Sequence, residues 1–447
     1  MIRMFVVALM VIVMQSRGFA QADSSSSPGL EELKGQVEGM NESLTEMRGI
    51  LDALKKIKVS GYLQPQFRYT NVINQPYAIG NFSGGTFPAD TKNLFQVRRG
   101  RFKLTYDNTL TQAVFEIDII PTGVSMRDAY LSLVEPWTQS FGLQMGAFYA
   151  PFGYEVSFSS GVRESPELSR VVQVLFPGER EIGAKLFFAP QRGKLTFLRA
   201  DLGIFNGAGT NANEFDNFKN IIGRVGVQLP LPEESPLAID LGVSGHFGNV
   251  RSNSKDIYRD GTPAAGINGF VKNTDTANVG KGVARRYFGA DAQLYYDVPS
   301  IGGMIVRFEF IGGRQPGTSS SSISPSAAPA SALYERKFAG WYINLVQNIG
   351  NKEQIVLKYD VYDPNTNVTA SDFTPAAGLS AADIKYTTFG IGFVHHWDDN
   401  IKFVVYQEFI RNEELDASKI PVSATALFPY TQDVRDNVFT FRVQYRF

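Results

Sequence analysis

The chain of 447 residues contains no cysteine. It can hold neither a disulfide nor a thiolate metal site, and a secreted chain of this kind is not a small disulfide-stapled domain. Histidine is almost as scarce, at three residues. His246 stands alone, and His395 and His396 are neighbours in a stretch that reads as a strand, so they point to opposite faces and cannot share a metal. Long apolar runs are missing as well. The run from Phe5 to Met14 is shorter than the roughly 20 residues that cross a bilayer, and no later stretch reaches that length. A helical membrane protein is excluded. There is no basic excess either: 43 Lys+Arg stand against 44 Asp+Glu. A nucleic-acid partner calls for a basic surface, so none is expected. What the chain does have is glycine (42), phenylalanine (34) and tyrosine (19). Of the structures able to span a bilayer, that leaves a closed β-barrel, in which every backbone N–H and C=O is paired within the wall.

The first 22 residues read as a signal peptide. Arg3 supplies the positive start, Phe5 to Met14 the apolar run, and Ala20-Gln21-Ala22 the small residues of a cleavage site. Their removal takes away Arg3 and Arg17 and no acid, leaving a formal charge of −3. Residues 23–29, with four serines, Pro28 and Gly29, read as a linker. Residues 30–58 carry a heptad pattern. Leu30, Val37, Leu44 and Leu51 fall at a, and Leu33, Met40, Met47 and Leu54 at d. This predicts a short coiled coil, with a single amphipathic helix as the alternative. Gly35, Gly39 and Gly49 weaken the helix by about 1 kcal/mol each, so the segment needs a larger assembly to hold its copies together.

From Val59 the period becomes 2 and stays so to the end. Phe102, Leu104 and Tyr106 alternate with Arg101, Lys103 and Thr105. Phe115, Ile117 and Ile119 alternate with Glu116 and Asp118, and Met304, Val306, Phe308 and Phe310 with Arg307 and Glu309. A soluble sandwich shares this period. Three features favour a membrane barrel over 59–447. The polar positions carry charges of both signs, as a wet lumen allows. Short turns (Asp107-Asn108, Glu135-Pro136, Gly350-Asn351, Asp398 to Asn400) alternate with long loops (71–93, 249–284, 313–334, 363–384). Aromatic residues gather near strand ends. About sixteen strands fit, enough to enclose an aqueous channel. The expected fold class is therefore all-β: a transmembrane antiparallel barrel of about 16 strands, preceded by a short α-helical coiled coil.

The last strand carries the sharpest local signal. Phe439, Phe441, Val443, Tyr445 and Phe447 alternate with Thr440, Arg442, Gln444 and Arg446, and the chain ends on Phe447. This resembles the terminal signal of bacterial outer-membrane proteins, whose final aromatic is read by the barrel-assembly machinery. Other stretches resemble the phosphate-selective porin O and P family. These are Gly61-Tyr62-Leu63-Gln64-Pro65-Gln66-Phe67, Val97-Arg98-Arg99-Gly100-Arg101-Phe102 and Met126-Arg127-Asp128-Ala129-Tyr130-Leu131. The most distinctive are Met145 to Gly153 and Pro177-Gly178-Glu179-Arg180-Glu181-Ile182-Gly183, followed by Ile204-Phe205-Asn206-Gly207. The resemblance implies a homotrimeric, sixteen-stranded outer-membrane porin with basic residues lining its pore. It also implies that 154–178 folds inward as a constriction; by its residues alone this segment could equally be a surface loop.

An anion path needs positive side chains at the narrowest part of a pore, and arginine's planar fork suits phosphate. If Phe102, Leu104 and Tyr106 face lipid, then Arg99, Arg101 and Lys103 face the lumen. The reverse orientation costs about 2–4 kcal/mol per cation near the midplane. Arg199, Arg224 and Arg307 are lumenal by the same argument, and Arg163, Arg170 and Arg180 lie in or beside the 154–178 loop. Acids share the inward face, so these cations could also simply brace the wall.

Other chemistry is faint. No serine–histidine pair can be placed on the outer face, so no enzyme is expected. Asp363-Pro364-Asn365-Thr366-Asn367 resembles the start of a calcium loop, but Val368 stands where glycine is required and Thr374 where glutamate is. Neither a metal nor a cofactor is expected. The serine- and proline-rich stretch 317–332 reads as a flexible outer loop. The expectation is passive diffusion of small hydrophilic solutes, favouring anions such as phosphate, with the coiled coil in the periplasm. The alternative is a plugged structural or adhesive barrel.

Overall fold

The computed structural model describes residues 30–71, 87–88, 90–232, 234–434 and 436–447. The expected signal peptide and linker lie outside the described residues. The chain divides into two units, one ending at Lys56 and one from Ile57 to Phe447.

The described residues of the first unit form a helix, α1 (Leu30–Lys55). Val37, Met40, Leu44, Met47, Leu51 and Leu54, six of the eight predicted seam residues, are all exposed on it. Leu30 and Leu33 belong to the helix, but their side chains lie outside the described residues.

The second unit is a closed antiparallel barrel of sixteen strands. Nine come first: β1 (Ile57–Thr70), β2 (Asn93–Asp107), β3 (Thr111–Ile120), β4 (Gly123–Val134), β5 (Phe141–Tyr149), β6 (Arg180–Phe188), β7 (Leu198–Phe205), β8 (Asn220–Gln228) and β9 (Leu237–Arg251). A hairpin, β10 (Asp256–Ala264) and β11 (Ile267–Thr274), interrupts the order. The barrel resumes with β12 (Gly282–Val298), β13 (Gly302–Gly317), β14 (Leu333–Ile349), β15 (Glu353–Asp363), β16 (Tyr386–His396), β17 (Ile401–Asn412) and β18 (Val438–Arg446). β9 pairs directly with β12, so the hairpin stands outside the wall. β18 pairs with β1 and closes the ring, with Phe67 opposite Phe441. Phe447 completes the seam by exchanging backbone hydrogen bonds with Gly61, both at 3.0 Å.

Alternation sets the two faces. Phe102, Leu104, Phe115, Leu131, Leu202, Leu241, Phe308, Ile355 and Phe441 are exposed on the outside. Arg99, Arg101, Glu116, Asp118, Arg307, Glu309 and Lys358 are buried on the inside. An apolar exterior around a polar interior is what a lipid-embedded barrel requires. Pro65 has no amide to give to the ladder, and the β1–β2 register shifts at Gln64/Pro65.

The predicted short turns are present. At one of them the Glu135 carboxylate caps the turn, accepting from the amides of Trp137, Thr138 and Ser140 and from the Thr138 hydroxyl. These bonds, led by the hydroxyl, lower its pKa to about 2.

Two of the predicted loops are corrected. The segment 249–284 is not simply a loop, because it contains the β10–β11 hairpin. There Ile257, Tyr258 and Arg259 pair in parallel with Leu333, Tyr334 and Glu335 of β14. The Phe270 amide also donates to the Ala377 carbonyl at 2.9 Å. The stretch 317–332 is not a free outer loop. Ser322 and Ser324 are buried, the Ser324 amide donates to the Val174 carbonyl at 3.0 Å, and Arg336 donates to the Thr318 carbonyl at 2.9 Å. Serine and proline composition signals the lack of regular structure, and here some of its backbone polar groups are met by another loop and by the wall.

Candidate functional site

The chain leaves β5 through Ala150-Pro151-Phe152-Gly153 and returns at β6. Gly153 has φ +59, and a Cβ there would collide with the Glu309 carboxylate. Glycine therefore allows both the turn and the close approach to the wall. The loop then runs inside the barrel, because its partners are inward-facing side chains all round the wall. The Gly153 amide donates to Ser244 of β9 at 2.9 Å. Lys402 of β17 donates to the Arg163 carbonyl at 2.9 Å. Gln444 of β18 donates to the Gly161 carbonyl at 2.7 Å, and Tyr62 of β1 shares a hydrogen bond with Ser160 at 2.6 Å.

Apolar packing holds the rest of the loop. The short helix α2 (Arg170–Leu175), with Phe152 and Phe176, packs against Tyr287, Ile311, Phe338 and Tyr362. Gly340 makes room on β14 for Val171.

Three loop carboxylates, Glu155, Glu164 and Glu167, fix the loop to cations of the wall, and a fourth, Glu179, braces its return to β6. Glu155 pairs with Lys358 at 2.6 Å. Glu164 takes both terminal nitrogens of Arg307, at 2.9 and 3.0 Å. Glu167 is shared by Arg98, Arg99 and Arg442 at 3.0, 2.8 and 2.9 Å. Glu179 meets Arg180 at 2.9 Å and Arg163 at 3.9 Å. Burial alone raises a carboxyl pKa. At Glu167 the charges of Arg98, Arg99 and Arg442 more than reverse this, and the group stays well below the usual carboxylate range. Arg163 and Arg180 do the same for Glu179.

The predicted cations thus fall into separate places. Arg101, Lys103 and Arg180 come together on the wall between β2 and β6, and Arg163 joins them from the loop through Glu179. Arg99 belongs to the Glu167 cluster and Arg307 to Glu164. Arg170 lies over the Tyr386 ring at 4.2 Å. Arg224 pairs with Asp291 at 2.5 Å. Arg199 is turned toward the β6–β7 connection, donating to the carbonyls of Pro190, Thr196 and Leu198 at 3.1–3.2 Å.

The first group forms a charged window. Glu116 is reached by Arg101, Lys103 and Arg180. Asp118 is reached by Arg101 and Arg127, and Asp128 by Lys103 and Arg180. With Glu179 and Arg163 included, five cations meet four carboxylates. Exposure is uneven among the cations: the Lys103 and Arg127 side chains are 34% and 20% exposed, whereas Arg101, Arg163 and Arg180 are at 1% or less, deeper than any of the four acids. Lys103 and Arg127 face the water, and the other three cations are enclosed with the carboxylates.

Arg127 was missed by sequence alternation. The β3–β4 register shifts so that Glu116 opposes Asp128 while Ile117 opposes Met126, leaving Arg127 as the extra residue of a bulge. A bulge re-aims a side chain, and Arg127 reaches the lumenal Asp118 at 3.3 Å. The loop acids were missed because nothing in their spacing says where a long loop folds.

No known sequence family and no curated protein sequence matches the chain. Solved structures do. The outer-membrane porin OprB of Pseudomonas putida is 11% identical, with 96% of this chain and 100% of that one covered, at a TM-score of 0.56. Lower matches include an anion-selective porin from Comamonas acidovorans (12% identity, 88% and 99% covered, TM-score 0.45). Another is a loop-deletion form of the outer-membrane protein OmpT of Vibrio cholerae (11%, 88% and 99%, 0.48). At such identity the likeness to OprB is one of fold: this chain has the fold of an outer-membrane porin barrel.

Proposed function

We propose that the chain is a bacterial outer-membrane porin for passive diffusion of small hydrophilic solutes, with anions such as phosphate favoured. The observation that carries this reading is that the two side chains of the window that reach the water, Lys103 and Arg127, are both cations. A passing ion meets Lys103 and Arg127 before the carboxylates that neutralise them, and positive groups at a constriction favour anions. Around Glu167 three arginines share one acid, which adds to the local surplus. Guanidinium forks suit the paired acceptors of phosphate. The resemblance to the phosphate-selective porin O and P family agrees with this.

The apolar exterior fits outer-membrane lipid. Tyr445 and Phe447, at the closing seam, fit the signal read by the barrel-assembly machinery. The exposed a/d stripe of α1 fits a periplasmic coiled coil in a homotrimer. The test is single-channel recording of the purified full chain in a planar bilayer under a salt gradient. A reversal potential on the anion side, with current blocked by added phosphate, is expected. A cation-side reversal potential sinks the anion preference. A folded barrel with no conductance favours the plugged, structural reading.

A further inference from the structure

Below the charged window the lumen wall changes character. Gln112, Ser132, Gln144 and Lys185 stand opposite one another in register across β3, β4, β5 and β6. All four share the inward parity of Glu116, Asp128 and Gly146, so they form one row facing the lumen. The row lies four residues along β3 from Glu116, or about 13 Å at strand rise, toward the short-turn end. A recess of about 260 Å³ opens over it, closed at its sides by Tyr130 and Phe187. This is smaller than the roughly 300–1,000 Å³ of pockets for drug-sized ligands, so its occupant is small.

The charged groups in this recess are already engaged. Lys185 pairs with Asp201 at 2.7 Å, and one terminal nitrogen of Arg199 is held by the three carbonyls of its own turn. The neutral groups are not engaged in the same way. Gln144 and Ser132 make no side-chain hydrogen bond among the described residues. Gln112 makes only long ones, at 3.4 Å to Asp107 and 3.5 Å from Tyr130. An amide offers both donors and an acceptor, and a hydroxyl offers one of each. The Phe187 ring lies over Gly142, which supplies no side chain of its own, so an aromatic surface stands beside the row of amides.

We infer that this row is a binding site for a small, neutral, polyhydroxylated solute of monosaccharide size, placed on the diffusion path after the charged window. Hydroxyls both donate and accept, matching Gln112, Ser132 and Gln144. A ring of C–H groups matches Phe187 and Tyr130. Charge neutrality matches a recess whose one acid, Asp201, is held by Lys185 and whose Arg199 is held by backbone carbonyls. The window above selects by charge and this row by hydrogen bonding, so one channel carries two independent filters. The inference rests on the porin reading.

The test is open-channel current through the full chain in a planar bilayer, with glucose as the probe, for the parent and for Gln112→Ala/Gln144→Ala. Glucose is expected to reduce the current in a saturable way. In the double variant the half-blocking concentration is expected to rise about tenfold, from the loss of two hydrogen-bonding side chains, with an unchanged reversal potential. Gln144→Glu, which keeps the shape, serves where the double variant does not fold; it is expected to weaken glucose block and shift the reversal potential toward cations. A channel that conducts but ignores glucose overturns the site alone, as does glucose block that the variants leave unchanged. Phosphate block abolished by the same variants also overturns it, because the row would then be an anion site. A folded barrel without conductance overturns the porin reading and the site with it.

Discussion

Arg442 ties the closing strand to the loop inside the barrel: its Nη2 lies 2.9 Å from Glu167 Oε1, while Nε and Nη2 both donate to Gln66 Oε1 of β1. One guanidinium thus holds the seam between first and last strands and the loop that narrows the lumen. Arg98 and Arg99 converge on the same carboxylate. Removing the single acid from such a cluster leaves buried like charges uncompensated, and breaking a buried pair costs roughly 3–5 kcal/mol. Glu167→Gln is therefore expected to loosen the loop, giving larger and noisier single-channel currents and a lower unfolding temperature. Unchanged current and unchanged melting would show that the loop's other ion pairs and the apolar packing of α2 hold it without Glu167.

Charge reversal separates the window from the rest of the lumen. Lys103→Glu and Arg127→Glu place acids at the water-facing positions, and each is expected to move the reversal potential toward cations. Arg199→Glu, at a turn where the cation is held by backbone carbonyls, is expected to move it far less. The comparison is made under one salt gradient at modest ionic strength, since roughly 10 Å of screening applies at 0.1 M. Equal shifts from all three would mean that selectivity is spread along the channel.

The pH dependence follows from the depressed carboxyls of the loop. Glu167 and Glu179 titrate below the ordinary glutamate value of about 4.3, because neighbouring arginines outweigh the burial that opposes ionisation. A group with a lowered pKa contributes its stabilisation above the unperturbed value and loses it as pH falls through the lowered one. These two carboxylates are therefore expected to keep their arginines paired from neutral pH down to about pH 4.3, with the loosening of the loop that they cause confined to more acidic solution. Current noise that sets in above about pH 4.3 in the parent and is absent from the pH response of Glu167→Gln would refute the assignment.

The barrel was legible in the sequence because its two faces obey a period of 2 that any reader can test. Phe102 and Arg101 must face opposite ways, and lipid fixes which way. The strand count followed from the same pattern. Arg127 was not legible, since a bulge breaks the very period used to read it. Nor were the roles of Glu155, Glu164 and Glu167, because a loop without periodicity has no face. The 317–332 stretch shows the same blindness from the other side: its composition excludes regular structure but does not say whether the irregular chain lies outside the barrel or within it. What separated Arg99 from Arg101 was not their strand, which they share, but their partners: the loop's Glu167 reaches Arg99, while Arg101 pairs with Glu116 and Asp118 of β3.

The helix α1 makes a claim that the barrel does not. Val37, Met40, Leu44, Met47, Leu51 and Leu54 are 46–65% exposed on the single chain, in one unbroken 3-4 stripe. The glycines fall at outer heptad positions, where they leave the apolar stripe intact but cost helicity, so association is what would stabilise the segment. With 26 residues and 1.5 Å of rise per residue the helix extends about 39 Å, enough for nearly four heptads. Deleting 30–54 is expected to leave the barrel folded and conducting, with its far-ultraviolet strand signal intact, and to lower the temperature at which trimers separate on a semi-native gel. Replacing Leu44 and Leu51 with asparagine is expected to do the same without shortening the chain. If trimers of both variants separate at the parent's temperature, the subunits are held by the barrels alone, and the helix is a tether whose apolar stripe meets some other partner.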